Sequence, residues 1–325
     1  MTMDLRIRPR RLRHNAAIRN LIAEVNLSVN DLVLPIFVQE QASTEIASLP
    51  GTYRHALSDL EAFCGTVVAA GISAVALFPV TDEASKDEHA TEALNQNNII
   101  CKATRLIKAA FPHLLVITDI ALDPYSSQGH DGFVENGIIV NDKTASYLAK
   151  MAVLHAESGA DIVAPSDMMD GRVALIRKAL DQASFTDTLI CSYSAKYASS
   201  FYGPFRDALN SAPKFGDKKS YQMDYKNRKE AQKEAALDEK EGADMLMVKP
   251  ALSYLDIISD ISNTSTLPVA AYHVSGEYAM LKLASTHQLL DFDAALLEAT
   301  TSIKRAGASL IFTYGALELA ALLTR

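Results

Sequence analysis

The chain has little cysteine, no glycine-rich phosphate loop, no long apolar run and no excess of positive charge, and each lack closes off a class of function. Only Cys64, Cys101 and Cys191 occur in 325 residues. No two of them share the spacing of a metal-ligand set or a redox pair, so they read as reduced, semi-buried thiols of a cytoplasmic protein. No apolar stretch approaches the roughly 20 residues that a membrane span needs. A net charge of −8 argues against nucleic acid or an anionic membrane as partner and suits a soluble protein. The one basic patch is N-terminal: Arg6, Arg8, Arg10, Arg11, Arg13 and Arg19. It lacks the apolar stretch of a secretory signal. Residues 1–30 are expected to form an extended arm packed on the acidic surface of another subunit; a transit segment and a solvated tail are the alternatives.

What the chain does have is apolar content of 49% against 22% charged residues, enough for a large packed core. Eight short apolar segments stand out, at 32–38, 73–80, 114–122, 160–166, 188–194, 243–250, 267–275 and 308–314. Most are continuously apolar, as in strands covered on both faces. Helical spacing lies between them. Tyr147, Leu148, Met151 and Leu154 follow a cap expected at Asn141, and Phe292, Leu296, Ala299 and Ile303 follow Asp291. The unit of helix end, glycine, small residue and buried strand recurs at Gly71, Gly159, Gly242 and Gly307. Such units build a parallel sheet. The missing phosphate loop disfavours an open dinucleotide-binding sheet, so residues 31–325 are expected to form a (β/α)8 TIM barrel. The stretch 197–222, rich in Ser, Tyr, Phe, Gly, Pro and Lys, breaks the pattern and is expected to be an ordered lid over the C-terminal face.

Barrel enzymes carry catalysis at the C-terminal ends of their strands. Those ends supply Asp119, Asp123, Ser166, Asp167, Lys196, Lys249, Ser275 and Tyr314. Lys249 closes the apolar run MLMVKP, where an ammonium is costly to bury; a lysine reaching out to solvent is the alternative. Lys196 follows the preceding strand, and neighbouring strands lie about 4.8 Å apart. Mutual repulsion and a dry setting both favour a neutral amine, which attacks ketones to form an imine. Arg206, Lys218 and Lys219 place positive charge in the lid, suited to a substrate carboxylate or to plain surface exposure. Ser275 precedes an expected helix start, where a carboxylate could sit within reach of Tyr314, although capping alone would also explain the serine.

The motifs MVKP at Lys249, SYSAKYASSFYGPFRDAL at Lys196, PSDMMDGR (165–172), YHVSGEYAM (272–280) and KRAGASLIFTY together resemble the porphobilinogen synthase, or 5-aminolevulinate dehydratase, family. The likeness runs from RPRRLRHN (8–15) to the C-terminus. It implies a lyase of tetrapyrrole (heme) synthesis that condenses two 5-aminolevulinate molecules into porphobilinogen with loss of two waters. It further implies that Lys249 binds the propionate-side substrate and Lys196 the acetate-side one. Arg206, Lys218 and Gln222 would hold one carboxylate, and Ser275 and Tyr314 the other. Tyr202 and Phe205 in the lid and Ser166 at a strand end complete the expected substrate-binding set. Lys218 stands where some members carry Arg, so a point charge replaces a fork.

Zinc-dependent members resemble D-x-C-x-C-x-Y-x-x-x-G-x-C after the third strand. Here Ala121, Asp123 and Asp131 occupy the three cysteine positions, which rules out a three-cysteine zinc site. Asp119, Asp123 and Asp131 could hold Mg²⁺ or a monovalent cation, or simply pair with Lys196 and Arg172; His130 reads as a satisfied loop histidine. Glu230, Glu234 and Asp238 form an acidic column on the helix expected over 227–241, readable on spacing alone as a solvated face. The resemblance implies that Glu234 holds an allosteric hydrated Mg²⁺ and that the arm embraces a neighbour in a homo-octamer. Two rivals remain at this point. One is a class I aldolase-like Schiff-base barrel, which needs a single imine lysine. The other is a non-catalytic ligand-binding or scaffold barrel, which needs no unusual amine.

Overall fold

The computed structural model describes residues 5–209, 211 and 213–324; arm residues 1–4, lid residues Asn210 and Ala212, and Arg325 at the end of the barrel region lie outside the described residues. Eight parallel strands close into a barrel: β1 (Leu32–Gln39), β2 (Ala74–Pro79), β3 (Leu115–Ile120), β4 (Ile162–Pro165), β5 (Leu189–Lys196), β6 (Met245–Lys249), β7 (Val269–His273) and β8 (Leu310–Thr313). Each pairs with the next in chain order, and β8 returns to β1 through Leu32↔Ile311 and Val33↔Phe312. All eight apolar segments are therefore barrel strands. β1, β2 and β4 are buried along their whole length because side chains fill the barrel on one face and helices cover the other. Toward the C-terminal end of β1, the short strand Tyr53–Ala56 pairs with Phe37, Val38 and Gln39, and Thr44–Glu45 pairs with it in turn.

The helical expectations hold with one change of detail. Helix Phe292–Arg305 starts behind Asp291, whose carboxylate accepts from the Ala294 amide at 2.8 Å. Helix Asn141–Glu157 buries Leu148, Met151 and Leu154, but its cap is Val140. Asn141 is instead the first helical residue, and its side chain is spent on both backbone groups of Asp170. Helix Lys229–Glu241 ends at Gly242 with φ +101°, a conformation that a Cβ would strain and that would also press on Arg177.

The arm is partly helical rather than fully extended. It forms a 3-10 turn, Pro9–Arg13, and a short helix, Ala16–Leu21, neither with a buried residue. Among the described residues no helix is long and apolar enough to cross a membrane.

Candidate active site

A bulge in β5 brings the two lysines together. β5 and β6 pair as Met245↔Cys191 and Leu246↔Ser192, then shift to Val248↔Ala195 and Lys249↔Lys196. The extra residue in β5 reverses its inward and outward alternation. Before the bulge, Cys191 and Tyr193 pack with Met247, Tyr272 and Phe312 inside the barrel. After it, Ala195 packs with Val248 on the helix-covered side, beside Ile176 and Ile257. Lys196 therefore turns inward beside Lys249. The strand also reaches Lys196 itself, two residues beyond the expected end.

Lys249 is 4% exposed and sits among rings. Its Nζ lies 4.3 Å from the centroid of Tyr272, 4.8 Å from Phe205, 5.0 Å from Tyr193 and 5.4 Å from Tyr202. Burial and the charge of Lys196 push its pKa down to about 7, against the pull of Asp119, Asp123 and Asp131. An amine half-deprotonated at neutral pH is a competent nucleophile toward a ketone.

Lys196 has a different setting. Its Nζ donates to the Ser166 carbonyl and lies 3.5 Å from Asp131 Oδ2. Asp131 also accepts from Lys218 at 2.8 Å and from Gln222 at 3.3 Å, and Lys218 reaches Asp123 at 3.2 Å. Burial alone would raise the Asp131 pKa, but Lys196 and Lys218 hold it well below the usual carboxylate range. For Lys218, burial works against the charge, and Asp123 and Asp131 more than restore it, so its pKa is raised. Asp119 is the odd carboxylate. Burial and Asp123 raise its pKa to about 7, and its Oδ1 is buried without a partner. It is thus a carboxyl that holds its proton up to about neutrality, where half of it is ionised.

Asp119, Asp123, Ser166, Lys196, Tyr202, Phe205, Arg206, Lys218, Gln222 and Lys249 line one cavity of ≈ 20 Å³. That is room for about one water, so the lid is shut. The lid comprises the 3-10 turn Ser200–Tyr202, the helix Gly203–Leu209 and the loop beyond. Tyr202 Oη donates toward the carbonyls of Tyr197 and Lys249. Gly276 lets the turn lie close, since a Cβ there would meet the Phe201 carbonyl oxygen at 2.5 Å. Outside the lid lies a cleft of ≈ 670 Å³ whose wall shares Arg206, Lys218 and Gln222 with the inner cavity. Lys219 faces outward, 3.3 Å from Asp217.

Some expected residues lie apart from that cavity. Ser275 Oγ accepts from the Phe205 amide at 3.0 Å, and Tyr314 Oη bonds Tyr272 Oη at 3.2 Å; neither lines the closed space. Arg172 does not pair with Asp119, Asp123 or Asp131. It is fully buried against Asp167, Asp238 and Ser192, because its helix starts on the outer side of β4 and β5. Asp238 is consequently buried, and the acidic column is no solvated face at that end. Glu230, which accepts from Asn227, and Glu234 are both half-buried and line one cleft of ≈ 630 Å³. Burial and Asp238 raise the Glu234 pKa. His130 bridges Tyr221 Oη and the Phe215 carbonyl, each at 3.1 Å, a satisfied loop histidine as expected.

Tyr193 and Tyr272 were not singled out by sequence reasoning. Their signal was weak: tyrosines amid small residues in the strands on either side of β6. Among the described residues no group of three or more His, Cys, Asp or Glu side chains is arranged to hold a metal ion.

The Delta-aminolevulinic acid dehydratase family model matches residues 6–322. A protein of that name from Helicobacter pylori is 51% identical over 321 residues, covering 98% of this chain and 99% of the relative. A chloroplastic protein of that name from Chlamydomonas reinhardtii is 50% identical, covering 97% of this chain and 84% of the relative. A solved structure from Toxoplasma gondii, the delta-aminolevulinic acid dehydratase (porphobilinogen synthase) in complex with its reaction product porphobilinogen, is 49% identical. It superposes with a TM-score of 0.97 over 98% of this chain and 92% of that one.

Proposed function

The chain belongs to the delta-aminolevulinic acid dehydratase family, and we propose that its closed barrel end joins two 5-aminolevulinate molecules into porphobilinogen by way of imines on Lys249 and Lys196. The observation that carries this reading is the Lys249↔Lys196 register, with one amine's pKa brought to about 7. A class I aldolase-like barrel needs one such lysine, and a scaffold barrel needs none.

The chemistry follows from the surroundings. The neutral Lys249 amine adds to a substrate ketone to give a carbinolamine. Asp119 hands its proton to the departing hydroxyl, water leaves, and the imine remains. Lys196 activates the second ketone in the same way. Two molecules of C5H9NO3 less two waters give the pyrrole C10H14N2O4, so the atoms balance without an oxidant. Both substrates are chemically identical, so position alone distinguishes them. A carboxylate entering beneath the lid takes Lys218 and Gln222 over from Asp131 and gains Arg206. The other carboxylate is received by Ser275 and Tyr314, the Ser275 hydroxyl turning its hydrogen from the Phe201 carbonyl to the substrate. The cavity of ≈ 20 Å³ holds neither substrate, so each turnover opens the lid.

Asp123 and Asp131 are committed to Lys218, and Asp131 also to Lys196 and Gln222, so the three aspartates as arranged do not suit a divalent ion. No step is routed through one. Glu234 suits a hydrated Mg²⁺ better, since its cleft also holds Glu230 and Asp170 and leaves space for waters. Such an ion would lie outside the catalytic cavity and regulate rather than react. The exposed apolar residues of the arm, Ile7 at 81% and Leu21 at 84%, support a role in subunit contact, with the homo-octamer as the assembly we propose. Cytoplasmic residence remains part of this reading.

Borohydride added with 5-aminolevulinate tests it: peptide mapping should find irreversible mass on Lys249. An unmodified Lys249 after complete reduction overturns the site. Pyrrole formation with and without a chelator, then with Mg²⁺ or Zn²⁺ restored, tests the metal, and Mg²⁺ is expected to raise activity and favour the large oligomer.

A further inference from the structure

The lid helix Gly203–Leu209 is only seven residues long, so most of its carbonyls have no partner within the helix. Two of the last are taken by one side chain far away in sequence. Arg54 Nε donates to the Ala208 carbonyl and its Nη2 to the Asp207 carbonyl, both at 2.7 Å. A guanidinium matches that paired geometry, and a cation at a helix C-terminus is favoured by the helix dipole. Arg54 is itself anchored in the sheet, opposite Phe37 of β1. Phe37 in turn packs its ring on Phe205 at 5.6 Å.

A further fastening of this helix is the Ser275 hydroxyl on the Phe205 amide, at 3.0 Å. On the function proposed above, an arriving carboxylate draws that hydroxyl's hydrogen away from the Phe201 carbonyl, 3.5 Å off, and so perturbs this fastening. The Arg54 hydrogen bonds go to Asp207 and Ala208, neither of which lines the inner cavity, so this grip survives substrate entry. We infer that Arg54 is a positioning residue of the reaction: it clamps the far end of the lid helix and so seats Phe205 and Arg206 over Lys249 while substrate is bound. Phe205 supplies one of the rings that dry Lys249, and Arg206, over the Tyr202 ring at 6.0 Å, brings a guanidinium fork to the cavity wall. A loosened clamp therefore weakens substrate retention and wets the amine together.

The test uses the full chain with Arg54→Ala and Arg54→Lys. It measures kcat and KM with 5-aminolevulinate, and the rate at which an amine-reactive reagent labels Lys249 without substrate. Loss of two charge-assisted bonds should raise KM roughly tenfold or more, with a smaller fall in kcat. Lys249 labelling should quicken, and added guanidinium should restore part of the KM in Arg54→Ala. A merely structural arginine would lower Tm without changing labelling below the melt. Wild-type KM and labelling in Arg54→Ala overturn the inference. If that variant fails to fold, Arg54→Lys decides, because an ammonium cannot span both carbonyls in the same way: a raised KM with faster labelling supports the clamp, and wild-type values overturn it. If the wild-type enzyme forms no borohydride-trapped adduct on Lys249, the function reading falls, while the labelling comparison still reports on the clamp.

Discussion

Lys196 and Lys249 are register partners on neighbouring strands, yet they sit in different solvents. Four aromatic rings line the surroundings of Lys249, with Tyr272 nearest at 4.3 Å. Lys196 is spent on a carbonyl and a carboxylate, in a nest that also holds Lys218 and Gln222. Rings remove water without supplying an acceptor of equal strength, so burial and repulsion set the state of Lys249. Carboxylates on the other side commit hydrogens to fixed partners. Two identical side chains thus have different settings because their neighbours differ, which on the proposed function is what would tell two identical substrates apart.

The sharpest way to break this comparison is to replace each amine by methionine. Lys249→Met should cut porphobilinogen formation on the order of 10⁴-fold, since the covalent route through that amine is gone. The same change should leave the fold as stable or raise stability by about 1 kcal/mol, because an apolar cage no longer holds an amine. Lys196→Met should also abolish turnover, yet cost about 1–3 kcal/mol by stripping Asp131 of a partner. Urea unfolding of both variants checks the opposite signs. The linkage has a definite direction as well. Lys249 falls from its ordinary 10.5 to about 7 in the folded protein, so its penalty on folding is full below pH 7. That penalty fades as pH rises from about 7 to 10.5, where the unfolded chain binds more protons. Lys249→Met should flatten that rise in stability.

Asp119→Asn probes the border between the two settings. The carboxyl must be protonated to act as an acid, and its pKa near 7 makes that role fade as pH rises. Lys249 must lose its proton to attack, so activity also fades as pH falls. The wild-type profile of kcat/KM should be a bell whose two limbs belong to the coupled pair. Asp119→Asn should lower kcat by about 10²–10³-fold and remove the alkaline limb. A bell unchanged in that variant would sink the proton-donor role.

Continuous apolar runs made the barrel legible, because strands buried on both faces cannot alternate. Lys249 was legible for the same reason, as a charge at the end of such a run. What lay hidden was non-local. Simple alternation along LICSYSAK puts Lys196 opposite in sense to Tyr193, and only the bulge reconciles them. The Asp131 and Lys218 pair joins positions 87 apart, and Arg172 and Asp238 positions 66 apart. No spacing rule reaches that far. The aromatic cage draws on β5, β7 and the lid together, so it exists only once the barrel closes.

The lid offers a milder contrast. Arg206→Ala should raise KM about 10-fold to 100-fold with a smaller change in kcat, because binding is lost more than chemistry. Steady-state kinetics across 5-aminolevulinate concentration would show it. A fall in kcat alone would move Arg206 out of the carboxylate clamp.

The smallest effect belongs to the acidic column, where one helix face serves two purposes. Asp238 is closed off by Arg172 and Ser192, so it steadies the wall behind β5. Glu234, one turn earlier, opens onto a cleft with space for a hydrated ion. Glu234→Ala should leave basal activity in place and remove a Mg²⁺ stimulation of about fivefold, together with Mg²⁺-dependent assembly. Sedimentation and activity titrated with Mg²⁺ would read both effects. If stimulation persists in Glu234→Ala, the ion lies elsewhere, and the raised pKa of Glu234 reflects only its burial beside Asp238.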